Sequence, residues 1–153
     1  MILRFFYEGN TPSKKNQKRI LKRKNGAPFI MASSEHQKWH KAAAILLGQQ
    51  RSRVTGVRFP IPRCAQVIAL LYYEDRRRRD SSNTFESIMD LLVDAGILVD
   101  DCWAITGPTG QFPQLRPGRP GWEIQLHLAD AAPGPAEQHN YVMPAKASEG
   151  ARS

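Results

Sequence analysis

Asp80–Asp101 reads DSSNTFESIMDLLVDAGILVDD and contains six carboxylates but no lysine or arginine. It directly follows four consecutive arginines, Arg76–Arg79, in a chain whose formal net charge is +8. Carboxylates that lie so close together in sequence repel one another unless a cation lies between them. Mg²⁺ and Mn²⁺ are hard ions that prefer such oxygen ligands. The stretch therefore predicts a divalent-cation site, and the positive charge around it suits a phosphodiester substrate.

The same stretch predicts a helix that ends at a tight turn. Its apolar residues recur at i, i+3, i+4 and i+7, the spacing that places side chains on one face of an α-helix. These residues are Phe85, Ile88, Met89 and Leu92. Gly96 follows at the position where a helix commonly ends in a left-handed residue, a conformation that glycine adopts without steric cost. We expect the chain to turn back at this point.

The carboxylates of the stretch fall on the predicted helix and on both of its flanks. If Asn83 is the N-cap, Glu86 occupies the third helical position and can accept a hydrogen bond from the N–H of the cap. Asp90 lies one turn further along the same polar side. Because the chain returns after the turn, Asp80 can meet the pair Asp100–Asp101. Single acids on a helix are usually solvated, so the paired carboxylates and the adjoining arginines carry the functional interpretation.

Outside this stretch the sequence predicts a small α+β domain over residues 1–128, with a mixed sheet of four or five strands and two main helices. Strands are expected at residues 2–8, 28–31, 64–73 and 122–128, where apolar and aromatic residues cluster or alternate. Loops are expected at residues 9–26 and 107–121, which are rich in Gly, Pro or polar residues,.

The first of the two helices is expected to begin at Ser34. Gln37 stands three residues further on and would complete a capping box, and Gly48 is a plausible end. Residues 129–153 are small, polar and proline-containing, so we expect a poorly ordered C-terminal tail.

Several classes of protein are disfavoured by composition. No apolar run approaches the roughly 18 residues that a membrane helix needs, and the N-terminus lacks the pattern of a signal peptide. The two cysteines, Cys64 and Cys102, form no CxxC motif, so a reducing, cytoplasmic setting is expected. His36 and His40 stand at i and i+4, but the sequence pattern places no acidic third ligand beside them. A pair on the helix surface is therefore favoured over a zinc site.

Charge is distributed unevenly along the chain. Residues 1–60 contain thirteen Lys or Arg against two Glu, and the sequence pI is about 9.9. Such asymmetry is typical of nucleic-acid-binding proteins, although a solvated basic surface has the same composition. The residues predicted to contact phosphate are Lys14, Lys15, Asn16, Lys18, Arg19, Arg76, Arg77, Arg78 and Arg79,.

The order of these features resembles the RusA family of Holliday junction resolvases, over about residues 5 to 128. That family opens with a strand, a glycine and a Pro-x-Ser-Lys-Lys-Asn-like loop. Its core pattern is Asp-x-Asp-Asn-x-x-Lys, then Asp-x-Leu, then Gly and a final Asp-Asp. The matching residues are Gly9, Pro12, Ser13, Lys14, Lys15 and Asn16 in the loop, and Asp80, Asn83, Asp90, Gly96, Asp100 and Asp101 in the core.

The resemblance implies a dimeric α+β endonuclease that cuts four-way DNA junctions in recombination and repair, with Mg²⁺ or Mn²⁺ as cofactor. It implies a homodimer because symmetric nicking needs two sites related by a two-fold axis. A bacterial or prophage origin, with the protein in the cytoplasm, is implied in the same way. Asp80, Asp100 and Asp101 are then the expected metal ligands, with Asp80 and Asp101 catalytic and Asp90 in support.

Two residues depart from the family pattern. Ser82 stands where the family has its second Asp, and Glu86 stands where it has a Lys that assists catalysis. Glu86 could restore the missing charge as a substitute metal ligand and catalytic residue if its side chain reaches back toward Asp80. One of the arginines Arg76–Arg79 would then supply the lost cation near the scissile phosphate.

Two other interpretations remain open on the sequence. The first is a non-catalytic, basic nucleic-acid-binding module whose metal site has decayed. The second is a basic RNA-binding protein, which would bind without preferring junctions. A metal titration separates the first from an active nuclease, because a decayed site binds no Mn²⁺.

Overall fold

The computed structural model describes residues 1–12, 18–77 and 79–129 of the chain. They form a four-stranded sheet, a two-stranded ribbon and three helices. The strands are β1 (Ile2–Glu8), β2 (Lys18–Lys22), β3 (Pro28–Ala32), β4 (Cys64–Tyr73), β5 (Thr109–Leu115) and β6 (Gly121–Leu128). The helices are α1 (Ser34–Ser52), α2 (Ser81–Asp94) and α3 (Trp103–Thr106). The predicted α+β class with a small mixed sheet is confirmed.

The main sheet has the strand order β1-β6-β4-β5. Strand β4 is antiparallel to β6 and parallel to β5, which makes the sheet mixed. The central position of β4 follows from its sequence, because a ten-residue apolar run without proline can hydrogen-bond on both sides. Alternate residues of β4, namely Val67, Ala69 and Leu71, are at most 1% exposed and pack beneath the helices. Strands β4 and β6 therefore form the centre of the sheet that carries the helices.

Helix α1 begins at Ser34 as predicted, but its capping residue and its C-terminal end differ from the prediction. Its N-cap is Ser33, whose Oγ accepts a hydrogen bond from the His36 N–H at 3.1 Å, so the cap lies one residue before Ser34. The helix also passes through Gly48 and continues to Ser52. Tertiary contacts outweigh the low helix propensity of glycine here, because the side chain of Gln50 is bonded to both the N–H and the carbonyl of Phe6 at 2.9 and 2.7 Å,.

Helix α2 begins three residues earlier than an Asn83 cap would allow. Asp80 is the N-cap, and its Oδ1 accepts a hydrogen bond from the Ser82 N–H at 3.0 Å. Aspartate is a preferred cap because its oxygen satisfies a free N–H of the first turn. Asn83 therefore lies inside the helix, and Glu86 is not at the position from which a capping box forms. The capping explanation for Glu86 is wrong.

The turn after α2 confirms the prediction for Gly96. Gly96 has φ +67°, its N–H donates to the Val93 carbonyl, and the Ile97 N–H donates to the Leu92 carbonyl. Arg51 of α1 holds the turn from outside, since its Nη1 donates to the carbonyls of Ala95 and Gly96 at 3.0 and 3.1 Å. The end of one helix thus fixes the path of the chain that leaves the other.

Two predicted loops contain strands. Within residues 107–121, β5 pairs with β4 at the edge of the sheet, where Pro113 is tolerated because one side of an edge strand needs no donor,. Within residues 9–26, β2 pairs with β3 as a ribbon that places Ile20 opposite Ile30. Strand β3 itself was predicted, but its partner β2 was not, because the basic residues in and around β2 are typical of a loop.

Some sequence predictions fall outside the described part of the chain. Lys14, Lys15, Asn16 and Arg78 lie there, and so does the predicted tail from residue 130 onward. No helix within the described ranges is both long enough and apolar enough to span a bilayer.

Two glycine substitutions are expected to change stability in opposite directions. In Gly96→Ala, the new Cβ would adopt a disfavoured left-handed conformation and lie 2.5 Å from Arg51 Nη1, so we expect a loss of about 1–2 kcal/mol. In Gly48→Ala, the new Cβ meets nothing within 4 Å, so we expect a gain of about 0.5–1 kcal/mol. Urea unfolding of both variants measures the difference, and an unchanged midpoint for Gly96→Ala would contradict the role given to this turn.

Candidate functional site

A cavity of about 370 Å³ lies where α1, α2 and the chain after the Gly96 turn meet. We call it the acidic cavity. It is lined by His36, His40, Asp90, Val93, Asp94, Asp100 and Asp101. Four of the six carboxylates of the stretch Asp80–Asp101 are among these residues, together with both histidines of α1.

The histidines form one wall of the acidic cavity. His36 is buried at 5% exposure, and its ring lies 6.0 Å from that of His40. His40 Nε2 lies 2.7 Å from Asp94 Oδ2. The prediction of a surface pair without an acidic neighbour is therefore wrong, because the packing of α1 on α2 brings Asp94 to His40 from 54 residues away.

Three further lining residues are the carboxylates Asp90, Asp100 and Asp101, which we call the carboxylate wall. The N–H of Asp101 donates to Oδ1 of Asp100 at 2.7 Å. Burial raises the pKa of Asp101 above its ordinary value, and the hydrogen bond with Asp100 and the negative charges of Asp90 and Asp100 raise it further. A carboxyl group with a raised pKa is one whose charged form lacks compensation. This wall therefore carries negative charge that a cation would stabilise.

Asp80 and Glu86 lie elsewhere on α2 and are not among the lining residues of the acidic cavity. Asp80 caps the first turn, and its distance from Asp90 along the helix axis is about 15 Å, at 1.5 Å per residue. Glu86 is exposed and lies one turn before Asp90 on the same side of the helix,. The chain after Gly96 returns to the end of α2 and meets Asp90, whereas the sequence had suggested a meeting with Asp80.

The side chains are not gathered into a complete metal centre. Among the residues that the structure describes, no group of three or more His, Cys, Asp or Glu is spaced to hold a metal ion. Asp90, Asp100 and Asp101 all line the acidic cavity, and the charges of Asp90 and Asp100 act on the pKa of Asp101. The four predicted ligands Asp80, Glu86, Asp100 and Asp101 are not brought together in the acidic cavity.

The arginines before Asp80 form a separate basic surface. A second cavity, of about 350 Å³, is lined by residues of this loop and of the end of β5, including Arg76, Arg77 and Arg79. Asp75 holds the loop, since its carboxylate lies 3.2 Å from Arg77 Nε and 2.7 Å from Arg79 Nη1. The hydrogen bond from the Arg77 N–H, followed by that from Arg79, lowers the pKa of Asp75. Arg76 is exposed and is available to a phosphate.

Asp101→Asn is expected to stabilise the metal-free protein at neutral pH. A raised pKa in the folded state means that the contribution of Asp101 to stability is lost as the pH rises through that pKa,. The amide cannot ionise, so the variant avoids this loss and should melt at a higher temperature than the wild type at pH 7. Near pH 3, below the ordinary value of 3.8, the two proteins should melt alike. A variant that melts below the wild type at pH 7 and matches it at pH 3 would contradict the inference that the negative charge of Asp101 destabilises the folded protein.

Comparison of the chain with models of protein families and with curated protein sequences finds no match.

Proposed function

We propose that this protein is a metal-dependent DNA endonuclease that cuts four-way junctions. The observation that carries the proposal is the carboxylate wall of the acidic cavity, where the negative charges of Asp90 and Asp100 add to burial in raising the pKa of Asp101. A fold gains no stability from such an arrangement, and perturbed carboxyl groups in a cleft are typical of functional sites. The resemblance of the core pattern to RusA nucleases supports the same reaction.

Mg²⁺ or Mn²⁺ is the proposed cofactor, and Asp100 and Asp101 are its first candidate ligands. Both follow the turn that Arg51 and Gly96 fix, so their backbone position is well defined. Asp90 supplies a third negative charge from α2. Asp80 and Glu86 remain candidates from the motif, although they lie outside the acidic cavity. A bound divalent ion would supply positive charge for a phosphodiester that is being cut.

DNA is the proposed substrate because the chain surrounds its acidic stretch with positive charge. Arg76, Arg77 and Arg79 line one cavity just before α2 begins. Lys18, which was predicted to contact phosphate, is the first residue of β2 in the ribbon. Contacts of Lys and Arg with phosphates provide sequence-independent affinity, which suits an enzyme that selects its substrate by shape.

A homodimer is proposed as the active form. Junction resolution needs two cuts placed symmetrically, which a two-fold axis provides. The β2–β3 ribbon offers an apolar contact surface, since Ile20 and Ile30 face each other across the strands and are 74% and 67% exposed. An isolated two-stranded ribbon is only marginally stable, so packing against a second ribbon would stabilise it.

A non-catalytic DNA-binding module is the second candidate. It is favoured by one observation, that the described residues contain no group of three or more side chains spaced to hold a metal ion. Ser82, which replaces a family carboxylate, points the same way. This candidate predicts junction binding without cleavage in any divalent cation.

Nicking of a labelled four-way junction tests the proposal. The wild type should cut in Mg²⁺ or Mn²⁺ and not in EDTA, and it should cut two strands symmetrically. Asp101→Asn should lower the cleavage rate by about a hundredfold or more, by analogy with the loss of one group that stabilises charge in a transition state. Its affinity for the junction should stay within about twofold. Glu35→Gln, which removes an exposed carboxylate from the first turn of α1, is the matched control and should cut like the wild type.

The same assay assigns the remaining carboxylates. Loss of cleavage in Asp80→Asn and Glu86→Ala would show that both residues belong to the active site. Cleavage at the wild-type rate in both variants would restrict the active site to the acidic cavity. Junction binding without nicks by the wild type in both metals would overturn the nuclease and favour the binding module.

A further inference from the structure

A cavity of about 440 Å³ lies at the end of the sheet where β1 and β4 finish and β6 begins. Four of its lining residues have side chains suited to binding a ligand, namely Phe6, Tyr72, Arg116 and Arg119. Its volume falls in the range of about 300–1,000 Å³ that is usual for small-ligand sites. It shares no lining residue with the acidic cavity, so the proposed cleavage chemistry does not account for it.

Arg116 and Tyr72 make a flat, cationic platform in this cavity. The Arg116 Cζ atom lies 3.6 Å from the centre of the Tyr72 ring, a face-to-face stacking distance. The Arg116 N–H donates to the carbonyl of Tyr73 at 2.7 Å, which fixes the backbone beneath the guanidinium. Tyr72 itself is 9% exposed. A guanidinium plane held on an aromatic ring is a surface on which a nucleobase can stack.

Phe6 provides a second aromatic surface. Its side chain is 49% exposed although it lies in a strand of the main sheet. Its backbone is immobilised, since both its N–H and its carbonyl are bonded to the side chain of Gln50. An exposed aromatic ring on a fixed backbone loses little entropy when it packs against a ligand.

Arg119 provides a cation at the mouth. Its Nη2 lies 3.5 Å from Glu8 Oε1, and the two side chains are 73% and 87% exposed. An ion pair so exposed to water contributes little stability, so Arg119 can exchange Glu8 for another anion. The cavity thus offers two surfaces for stacking, Arg116 and Phe6, and one arginine that can exchange its carboxylate partner for another anion. These match three features of a nucleotide, namely the two faces of the base and the phosphate.

We propose that this cavity binds one unpaired nucleotide of a DNA strand, with the base against Arg116 and Phe6 and the phosphate at Arg119. The choice of DNA rests on the proposed function, because a nuclease that opens the branch point of a junction would expose bases that have lost their partners. Stacking on aromatic groups tolerates any base. Because the carboxylate of Glu8 competes with the phosphate for Arg119, it lowers the affinity of the cavity for the nucleotide.

The test measures binding of two short, fluorescently labelled strands by anisotropy in EDTA, where no cleavage occurs. One strand carries thymine bases, and the other has the same sugar-phosphate backbone without bases. The wild type should bind the thymine strand about fivefold or more tighter, as stacking of one base predicts. Phe6→Ala and Phe6→Leu should both reduce this preference, and Phe6→Leu keeps the apolar bulk in case the alanine variant is unstable.

The charged residues are tested with the same strands. Arg119→Ala should weaken binding of both strands by severalfold, and Glu8→Gln should strengthen binding of both, which a merely structural ion pair would not do. Arg58→Ala is the matched control, because it removes an exposed arginine from the connection between α1 and β4. It should leave the preference for bases and the effect of Glu8→Gln unchanged.

Equal affinity of the wild type for the two strands would overturn the inference, and so would a base preference that survives in both Phe6 variants. Junction nicking is a separate readout. Nicking without base preference would contradict the proposed nucleotide site and keep the proposed nuclease activity. Base preference without nicking would contradict the nuclease activity and keep the nucleotide site.

Discussion

The repulsion among Asp90, Asp100 and Asp101 is the constraint on which the account of the site depends. The chain brings these carboxylates together by a turn that only glycine makes without strain, and Arg51 fixes that turn through two carbonyls. The pKa of Asp101 is raised, first by burial and then by its hydrogen bond with Asp100 and the negative charges of Asp90 and Asp100. A basic protein could have dispersed these charges on its surface. Instead, Asp100 and Asp101 are exposed next to each other beside the junction of two helices. This concentration of negative charge is the reason that we propose a cation, and with it a phosphodiester substrate, at this position.

The carboxylates of the acidic cavity and the arginines of the two arginine-lined cavities lie on different elements. Carboxylates lie on α2 and on the chain that follows it, whereas arginines lie in the loop after β4 and in the connection between β5 and β6. The loop after β4 leads directly into Asp80, the cap of α2. A DNA backbone held by the arginines would thus approach the helix whose far end carries the acidic cavity. The stacking surface of Arg116 on Tyr72 adds a place for a base, which phosphate contacts alone do not provide.

The sequence predicted those elements whose signal is local. Strand β4 has its predicted bounds, β6 differs by one residue, and Gly96 ends α2 as its spacing indicated. Strand β5 was missed because Pro113 reads as a loop residue, and only the edge position of the strand makes it compatible with a sheet. The end of α1 was missed for a similar reason, since the contact of Gln50 with Phe6 crosses 44 residues.

The candidate site was predicted in part. Asp90, Asp100 and Asp101 were singled out from one short stretch, but the angle at which the chain returns decides that they meet each other at the far end of α2 from Asp80. His36 and His40 were set aside because Asp94, the acidic neighbour of His40, comes from another helix. Periodicity reveals which residues share a face of one helix, and it carries no information about which face of a second helix lies opposite.

Direct binding of Mn²⁺, followed by electron paramagnetic resonance of the free ion, tests the central claim. The wild type should remove Mn²⁺ from solution at a saturable site, because the ion relieves the repulsion on the carboxylate wall. The double variant Asp100→Asn, Asp101→Asn should lose that site, and Glu35→Gln should retain it. If the double variant binds Mn²⁺ as the wild type does, or the wild type binds none, the acidic cavity is not a metal site.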